Sequence, residues 1–544
     1  MKKLLFYVLL IPIFLIANIG ISKAAEEAKA PALQPVPEIS KEDFAKATGI
    51  YFNRCGGCHG TLRKGATGKS LMPDKTLTKT VAKLAGIIYD GTEGGMPGWG
   101  TTGVLSKEES ELLAKFIQHE PVAPPEWNMK DMKATWKLIV PPDKRPTAPA
   151  HKRNIENFFA VILRDAGQIG IIDGDTKEIV TVVNSGFAVH TLRYSYSGRY
   201  LYTIGRDAKA TMVDLWMNPP QTVAEVKTGI EARSIDSSKY KGFYDKYAVV
   251  GNYWPPSYVI LDGQTLEPLK IVSTRGYTYD TNEYHPELRV ASIVASHHAP
   301  EWVLNIKEAG ITLLVDYSKL SEGTITETRI DAERFLHDGG WDKTKRYFLV
   351  AANMRDKVVV IDTKDRKRVA VVETGVKPHP GRGANFNDPK NGPVYATPHL
   401  GEPMVALIGT APEGKYKGNA WKVVRKLKTA GEGGLFIKTH PRSNNLWVDH
   451  TLAKSEDAYR SVSIFNIKDL DAPPKIIKLA DRGRIVHMEY NKAGDEVWIA
   501  LWDKKGEIIV FDDNTLKEKT RITDSRLVTP TGKFNVYNTR YDIY

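Results

Sequence analysis

The chain of 544 residues contains two cysteines, and both stand in one short string, "NRCGGCHGTL". Cys55 and Cys58 sit three positions apart, and His59 follows directly. Such a pair can close a redox disulfide, supply half of a zinc site or hold a haem. A zinc site needs further thiol or imidazole ligands at matched spacing, and there is no third cysteine. A thioredoxin-type motif wants a βαβ setting, which the flanking sequence does not offer. In an exported chain, C-x-x-C-H is an attachment site for a c-type haem. The two thiols add across the two vinyl groups, and the adjacent imidazole reaches the iron. The motif therefore predicts haem c, covalently held by Cys55 and Cys58 with His59 as a metal ligand. An iron that only passes electrons takes a sixth ligand. Met96, in the Gly- and Pro-rich "GTEGGMPGWG", supplies a thioether, and Met/His ligation raises the potential.

Of the thirteen histidines, three others stand out by context. His190 lies in "SGFAVHTLRYSYSGRYLYTIGRD", His337 in "FLHDGGWD" and His379 in "KPHPGRGANF". The last two are on Gly-rich stretches, where backbone can approach a ligand closely. Taken singly, each is more often a satisfied polar residue than a catalyst. His285, His399, His440 and His450 stand near Pro, turn or strand-end residues and read as structural.

These residues need elements to position them. Lys2 and Lys3, an apolar run from Leu4 to Ile21 and Ser22-Lys23-Ala24 predict a secretory signal peptide over residues 1–24. The alternative, an uncleaved anchor, requires a span from an apolar run near the lower limit of length. No later segment has about twenty consecutive apolar residues, so no membrane span is expected in the mature chain. The leader suggests a bacterial periplasm. Exported proteins usually spend cysteines on disulfides; here both belong to one motif, so core burial alone must hold the bulk together. The formal charge of +12 and pI near 9.2 describe a basic surface. Its Lys and Arg are scattered, which argues against nucleic acid and suits an acidic small protein or an anionic substrate.

Residues 25–39, rich in Ala, Pro and Glu, read as a mobile arm. A helix is expected after Ser40, with Phe44, Ala47 and Tyr51 on one face. Ser106 and Glu109 predict a capping box ahead of a helix with an apolar stripe of Leu112, Leu113, Phe116 and Ile117. Residues 40–120 therefore read as an all-α class I cytochrome c domain, and residues 121–150 as a Pro-rich linker. From 151 to 544 the texture changes to short β-branched runs ending at turn residues. Eight runs end at Asp173, Asp214, Asp262, Asp316, Asp362, Gly409, Asn466 and Asp512. Their spacing of about 41 to 57 residues is that of a four-stranded blade, and predicts an all-β eight-bladed propeller. Seven blades is the nearest alternative.

Several long strings carry a more specific signal: "GIEARSID", "NYWPPSYVILDGQTLEP", "IVSTRGYT", "FLHDGGWD", "PHPGRGANF", "LFIKTHP", "YNKAGDEVW" and the terminal "TPTGKFNVYNTRYDIY". With them the mature chain resembles the cytochrome cd1 nitrite reductases over nearly its whole length. The resemblance implies a haem c domain joined to an eight-bladed propeller that holds noncovalent haem d1. It implies a periplasmic homodimer that reduces nitrite to nitric oxide and water, fed by a c-type cytochrome or a cupredoxin, and able to reduce dioxygen to water. It implies His190 as the proximal metal ligand of haem d1 and His337 and His379 as the distal catalytic pair. Arg193, Arg206, Arg233 and Arg382 stand at the positions expected to bind the d1 carboxylates, with Tyr253 as a neighbour and Gly532 and Phe534 lining the pocket. The chemistry agrees: losing an oxygen of nitrite as water consumes two protons, which histidine is suited to give, and guanidinium matches carboxylate.

The sequence departs from the family pattern in two places. No tyrosine lies between the cleavage site and Tyr51, and no histidine precedes His59, which favours Met96 as haem c ligand. In "RIVHMEYNKAGDEVW", His487 and Met488 stand where the family suggests Gln-Pro, so His487 either takes the place of that Gln or adds a fourth imidazole to the expected d1 site. Two rival functions fit the same layout. One is a dihydro-haem d1 dehydrogenase of haem d1 biosynthesis. The other is a non-catalytic c-type electron carrier fused to a propeller that docks partners.

Overall fold

The computed structural model describes residues 32–544 apart from 66–67, 93–95, 97 and 102. The expected signal peptide and residues 25–31 of the arm lie outside the described residues. Residues 32–40 have no regular secondary structure, but they are tied down: the Gln34 N–H donates to the Leu77 carbonyl at 2.7 Å, and His119 Nε2 lies 2.8 Å from the Pro37 carbonyl.

The first domain is helical. Ser40 caps the helix Lys41–Ile50 by accepting from the Asp43 N–H, and Ala47 and Tyr51 are fully buried. Ser106 and Glu109 form the reciprocal capping box of Lys107–Phe116 at 3.1 Å each way. That helix buries Leu113, Phe116 and the following Ile117 against Ala47, Tyr51, Leu84 and Ile88. Among the described residues, no helix is long and apolar enough to cross a membrane.

The stretch after residue 120 straps the two domains together. Trp127 Nε1 donates to the Lys227 carbonyl at 3.0 Å and Trp136 Nε1 to the Thr265 carbonyl at 2.8 Å. Strand Lys137–Leu138 then pairs with Gln221–Lys227 at an outer blade edge.

The remainder is an eight-bladed propeller of antiparallel sheets. Each of the eight runs noted in the sequence forms the third strand of one blade and stops at its final residue: Asp173, Asp214, Asp262, Asp316, Asp362, Gly409, Asn466 and Asp512. At the seven Asp and Asn ends the physical reason is a side-chain turn, in which the side-chain oxygen accepts the backbone N–H two residues on; Gly409 stops its strand without one. Asp262 Oδ1 accepts the N–H groups of both Gln264 and Thr265 at 2.9 Å. The ring closes by splicing the two ends of the domain: the terminal strand Pro530–Asn535 becomes the first strand of the blade begun by Phe158–Leu163, with Phe534 opposite Ala160. The first strand of every blade faces the axis, and over much of the ring, from Thr191–Tyr194 round to Leu336–Trp341 and from Ile437–Lys438 round to Pro530–Asn535, neighbouring first strands pack on one another.

Candidate active site

The cysteine motif is built on distorted helix. Tyr51–Cys55 form a single π-turn, a distortion frequent at functional sites, and Gly56–His59 return to α geometry. His59 Nδ1 lies 2.7 Å from the Lys69 carbonyl, which fixes the ring and leaves Nε2 for a metal. The neighbouring Gly68 permits this approach, since a Cβ there would stand 2.8 Å from His59 Cε1. Met96 and Cys55 pack against one apolar cluster. Burial, with a smaller push from Cys58, raises the Cys55 thiol to about 12, which opposes thiolate redox chemistry.

The motif abuts the propeller. Arg206 Nε donates to the Gly57 carbonyl, between the two cysteines, at 2.9 Å. Gly57 makes room for it: a Cβ there would meet Arg206 Cβ at 3.0 Å. Trp99 packs on Phe187 with ring centroids 4.6 Å apart, and Lys227 Nζ donates to Asn53 Oδ1 at 2.9 Å.

Inside the propeller lies a cavity of about 550 Å³ that Cys58 also borders. Every site residue named in that domain lines it. His190 stands one residue ahead of the first strand Thr191–Tyr194, which carries Arg193. Arg233 is on Glu231–Ser237, His337 on Leu336–Trp341, His487 on Arg484–Tyr490, and Gly532 and Phe534 on Pro530–Asn535. His379 and Arg382 come from the loop that leads into Ala384–Asp388. Arg206 and Tyr253 belong to second strands or the loops beyond them. None of His285, His399, His440 and His450 reaches the cavity.

Arg233 sits at the centre. Its Nε donates to His190 Nε2 at 3.1 Å, and its Nη2 lies 3.0 Å from His337 Nε2. The rings of His337 and His379 are 5.0 Å apart between centroids. Asp338 joins them, with Oδ2 at 3.3 Å from His337 Nδ1 and 3.5 Å from His379 Nε2. Burial and then Arg233 push the His337 imidazole down to about 3, while Asp338 works to raise it. Burial opposes the charge of Asp338, yet Arg233 and the two histidines hold its carboxyl well below the usual range. His487 is buried at a positive φ of 56°, edge-on to Phe436 at 4.5 Å and tilted against Phe534 at 5.0 Å.

The cavity wall suits a polycarboxylate. Arg193, Arg206, Arg233, Arg289, Lys307 and Arg382 face it against the carboxylates of Asp338, Glu489 and Asp542. Arg193 Nε is buried without a hydrogen-bond partner. Burial, then Arg382, lowers that guanidinium to about 10. Burial works to raise the Tyr253 hydroxyl, but Arg233, Lys307, Arg206 and Arg289 hold it below the usual phenol range. This surplus of buried positive charge calls for an anionic occupant.

Sequence reasoning missed Asp338, Arg289 and Lys307 in this wall, and Glu231 just behind it. Asp338 and Glu231 lie inside quoted strings, next to His337 and two residues before Arg233. Their acidity hid them in a site sought for its cations.

A helical domain bearing a haem-attachment motif, pressed against a propeller whose axis holds a cationic, imidazole-bearing cavity, defines a two-haem protein with one centre in each domain. A family model described as the cytochrome D1 heme domain matches residues 153–539, and one described as cytochrome C oxidase, cbb3-type, subunit III matches residues 42–117. The chain is 51% identical over 544 residues to a nitrite reductase of Stutzerimonas stutzeri, covering 95% of this chain and 96% of the relative. It is 24% identical over 503 residues to a dihydro-heme d1 dehydrogenase of Pseudomonas aeruginosa, covering 92% and 95%. A solved dihydro-heme d1 dehydrogenase in complex with DHE shares the fold, with a TM-score of 0.71 at 24% identity, covering 91% of this chain and 99% of that one. The chain belongs to the cytochrome cd1 nitrite reductase family, and its cofactors are haem c and haem d1.

Proposed function

We propose that this chain is a periplasmic, nitric-oxide-forming nitrite reductase. Cys55 and Cys58 would bind haem c, with His59 and Met96 holding its iron. His190 would hold the iron of haem d1, and Arg193, Arg206, Arg233 and Arg382 would pair with its carboxylates. Haem d1, when bound, supplies an iron at which nitrite can be held and reduced by one electron. The remaining work belongs to the chain. The Gly57–Arg206 contact links the haem c peptide to the cavity wall. His337 and His379 hold the substrate anion and deliver the two protons that leave as water.

The observation that carries this reading is the His337–Asp338–His379 cluster, which meets His190 across Arg233. After burial itself, Arg233 does most to lower the His337 imidazole, with a smaller contribution from His379. A carboxylate paired with Arg233 offsets its charge. Asp338 then favours protonated imidazoles, the state a proton donor needs.

The family resemblance carries a homodimer and a small c-type cytochrome or cupredoxin as donor, and the +12 charge suits an acidic one. The dehydrogenase alternative rests on the lower identity of 24%. The test is the purified holoenzyme under anaerobic conditions. A c-type α band beside a red-region d1 band, with nitric oxide formed from nitrite by reduced protein, is expected. Both bands without nitric oxide would overturn the reading.

A further inference from the structure

We propose that Glu231 is a redox-linked proton site between the two haems: a buried positioning residue that takes up a proton when haem c is reduced and releases it when the electron moves on. The proposal rests on the two-haem reading above.

Glu231 opens the first strand Glu231–Ser237 and is 2% exposed. Its carboxylate is ion-paired with Arg206 Nη2. The same guanidinium donates through Nε to the Gly57 carbonyl at 2.9 Å. One arginine thus joins the peptide between the haem-bearing cysteines to a buried carboxyl. Arg206 also borders the d1 cavity and lies over Tyr253, 4.9 Å from its ring centroid. A second tie runs parallel, with Thr61 Oγ1 donating to Glu287 Oε1 at 3.2 Å.

The charged groups facing Glu231 come from several elements. Arg206 follows Tyr200–Ile204, Glu287 and Arg289 precede Val290–Ala295, and Lys307 follows Glu301–Ile306. From the helical domain, Tyr51 feels the charge of Glu231. Burial pushes the Glu231 carboxyl up to about 7, with Arg206 and Arg289 pulling it back, Glu287 adding to the push and Lys307 to the pull. The carboxyl is therefore held far above the usual carboxylate range, where a change in nearby charge can alter its protonation. Much of the hold on the charged form is Arg206, the group that also touches the haem c peptide. An electron arriving at haem c adds negative charge near the Arg206–Glu231 pair, which repels the carboxylate and favours its protonated form.

The step balances simply. Haem c gains one electron from the donor, and the Glu231 carboxylate gains one proton from solvent. When the electron passes to haem d1, the carboxyl loses that proton. Little net charge then crosses a low-dielectric interface, and the proton is set free beside a cavity whose reaction consumes protons.

The experiment uses the holoenzyme without nitrite, so that failure to reduce nitrite is a separate result. The midpoint potential of haem c is followed by its α band across the range around pH 7. In the wild type the potential should fall as pH rises. Glu231→Gln, with unchanged α band and d1 content, should lose that dependence, and Glu231→Asp should restore it over a shifted range. A Glu231→Gln enzyme with the wild-type slope would overturn the proposal. Should Glu231→Gln not fold, an indicator dye reads proton uptake on reduction of wild-type haem c. Uptake greatest near neutral pH is expected, and none at any pH would equally sink the idea.

Discussion

His337 and His379 come from two blades, and a single carboxylate, Asp338, meets both rings. That arrangement makes the pair a unit, so removing either member removes most of its function. His337→Ala and His379→Ala should each slow nitrite turnover by about 10²-fold, the scale of general acid catalysis, and the double variant should be little worse. Haem d1 content should remain near wild type, because His190 and the four arginines are all retained. Single-turnover kinetics and extraction of d1 check both halves of this expectation. Asp338 raises both imidazoles. Asp338→Asn lowers them, so the protonated form persists only at lower pH. The rate-against-pH profile should lose activity at neutral pH and shift its falling limb toward acid. A profile unmoved by Asp338→Asn would remove the carboxylate from the proton path.

At the scale of elements, first strands of propeller blades carry the chemistry, and small residues let their backbones meet. Gly340, on Leu336–Trp341, lies against the loop of the next blade: a Cβ there would stand 2.1 Å from the Arg382 carbonyl oxygen. Backbone cannot yield as a flexible side chain does. Gly340→Ala should therefore displace Arg382 and cost about 1–3 kcal/mol through overpacking. Reduced d1 retention with an unchanged haem c spectrum is the expected signature, read by pigment extraction and thermal unfolding. Elsewhere the strands end where acidic side chains fold back on their own turns. Asp173, Asp262 and Asp362 were legible as blade markers because that interaction is local in sequence.

The whole molecule depends on closure of the ring. Pro530–Asn535 pairs with Phe158–Leu163 and brings Gly532 and Phe534 to the cavity, followed by a C-terminal stretch that buries Asp542 and Tyr544. Deleting residues 530–544 removes one axial strand and leaves another edge unpaired. We expect loss of haem d1 and of cooperative propeller unfolding, while haem c, in its own helical core, keeps its spectrum. Retention of d1 by the shortened chain would show that ring closure is dispensable for the site.

The amino-acid sequence alone determined what is local. C-x-x-C-H, the Ser106–Glu109 capping box and the turn residues that end each third strand act over a few positions, so pattern suffices to read them. The long strings shared with the family pointed to the axial residues. Which polar groups meet was decided only in three dimensions. His190, Arg233 and His337 lie on separate blades, and Arg233 touches both histidines because its side chain crosses the intervening first strand Val290–Ala295, donating to the Ala291 carbonyl on the way. Asp338 and Glu231 escaped notice because an acid on a buried strand reads as an ordinary ion-pair partner. Their placement between two imidazoles, and between a haem peptide and a cationic wall, follows from packing of elements far apart in the chain, which no local periodicity encodes.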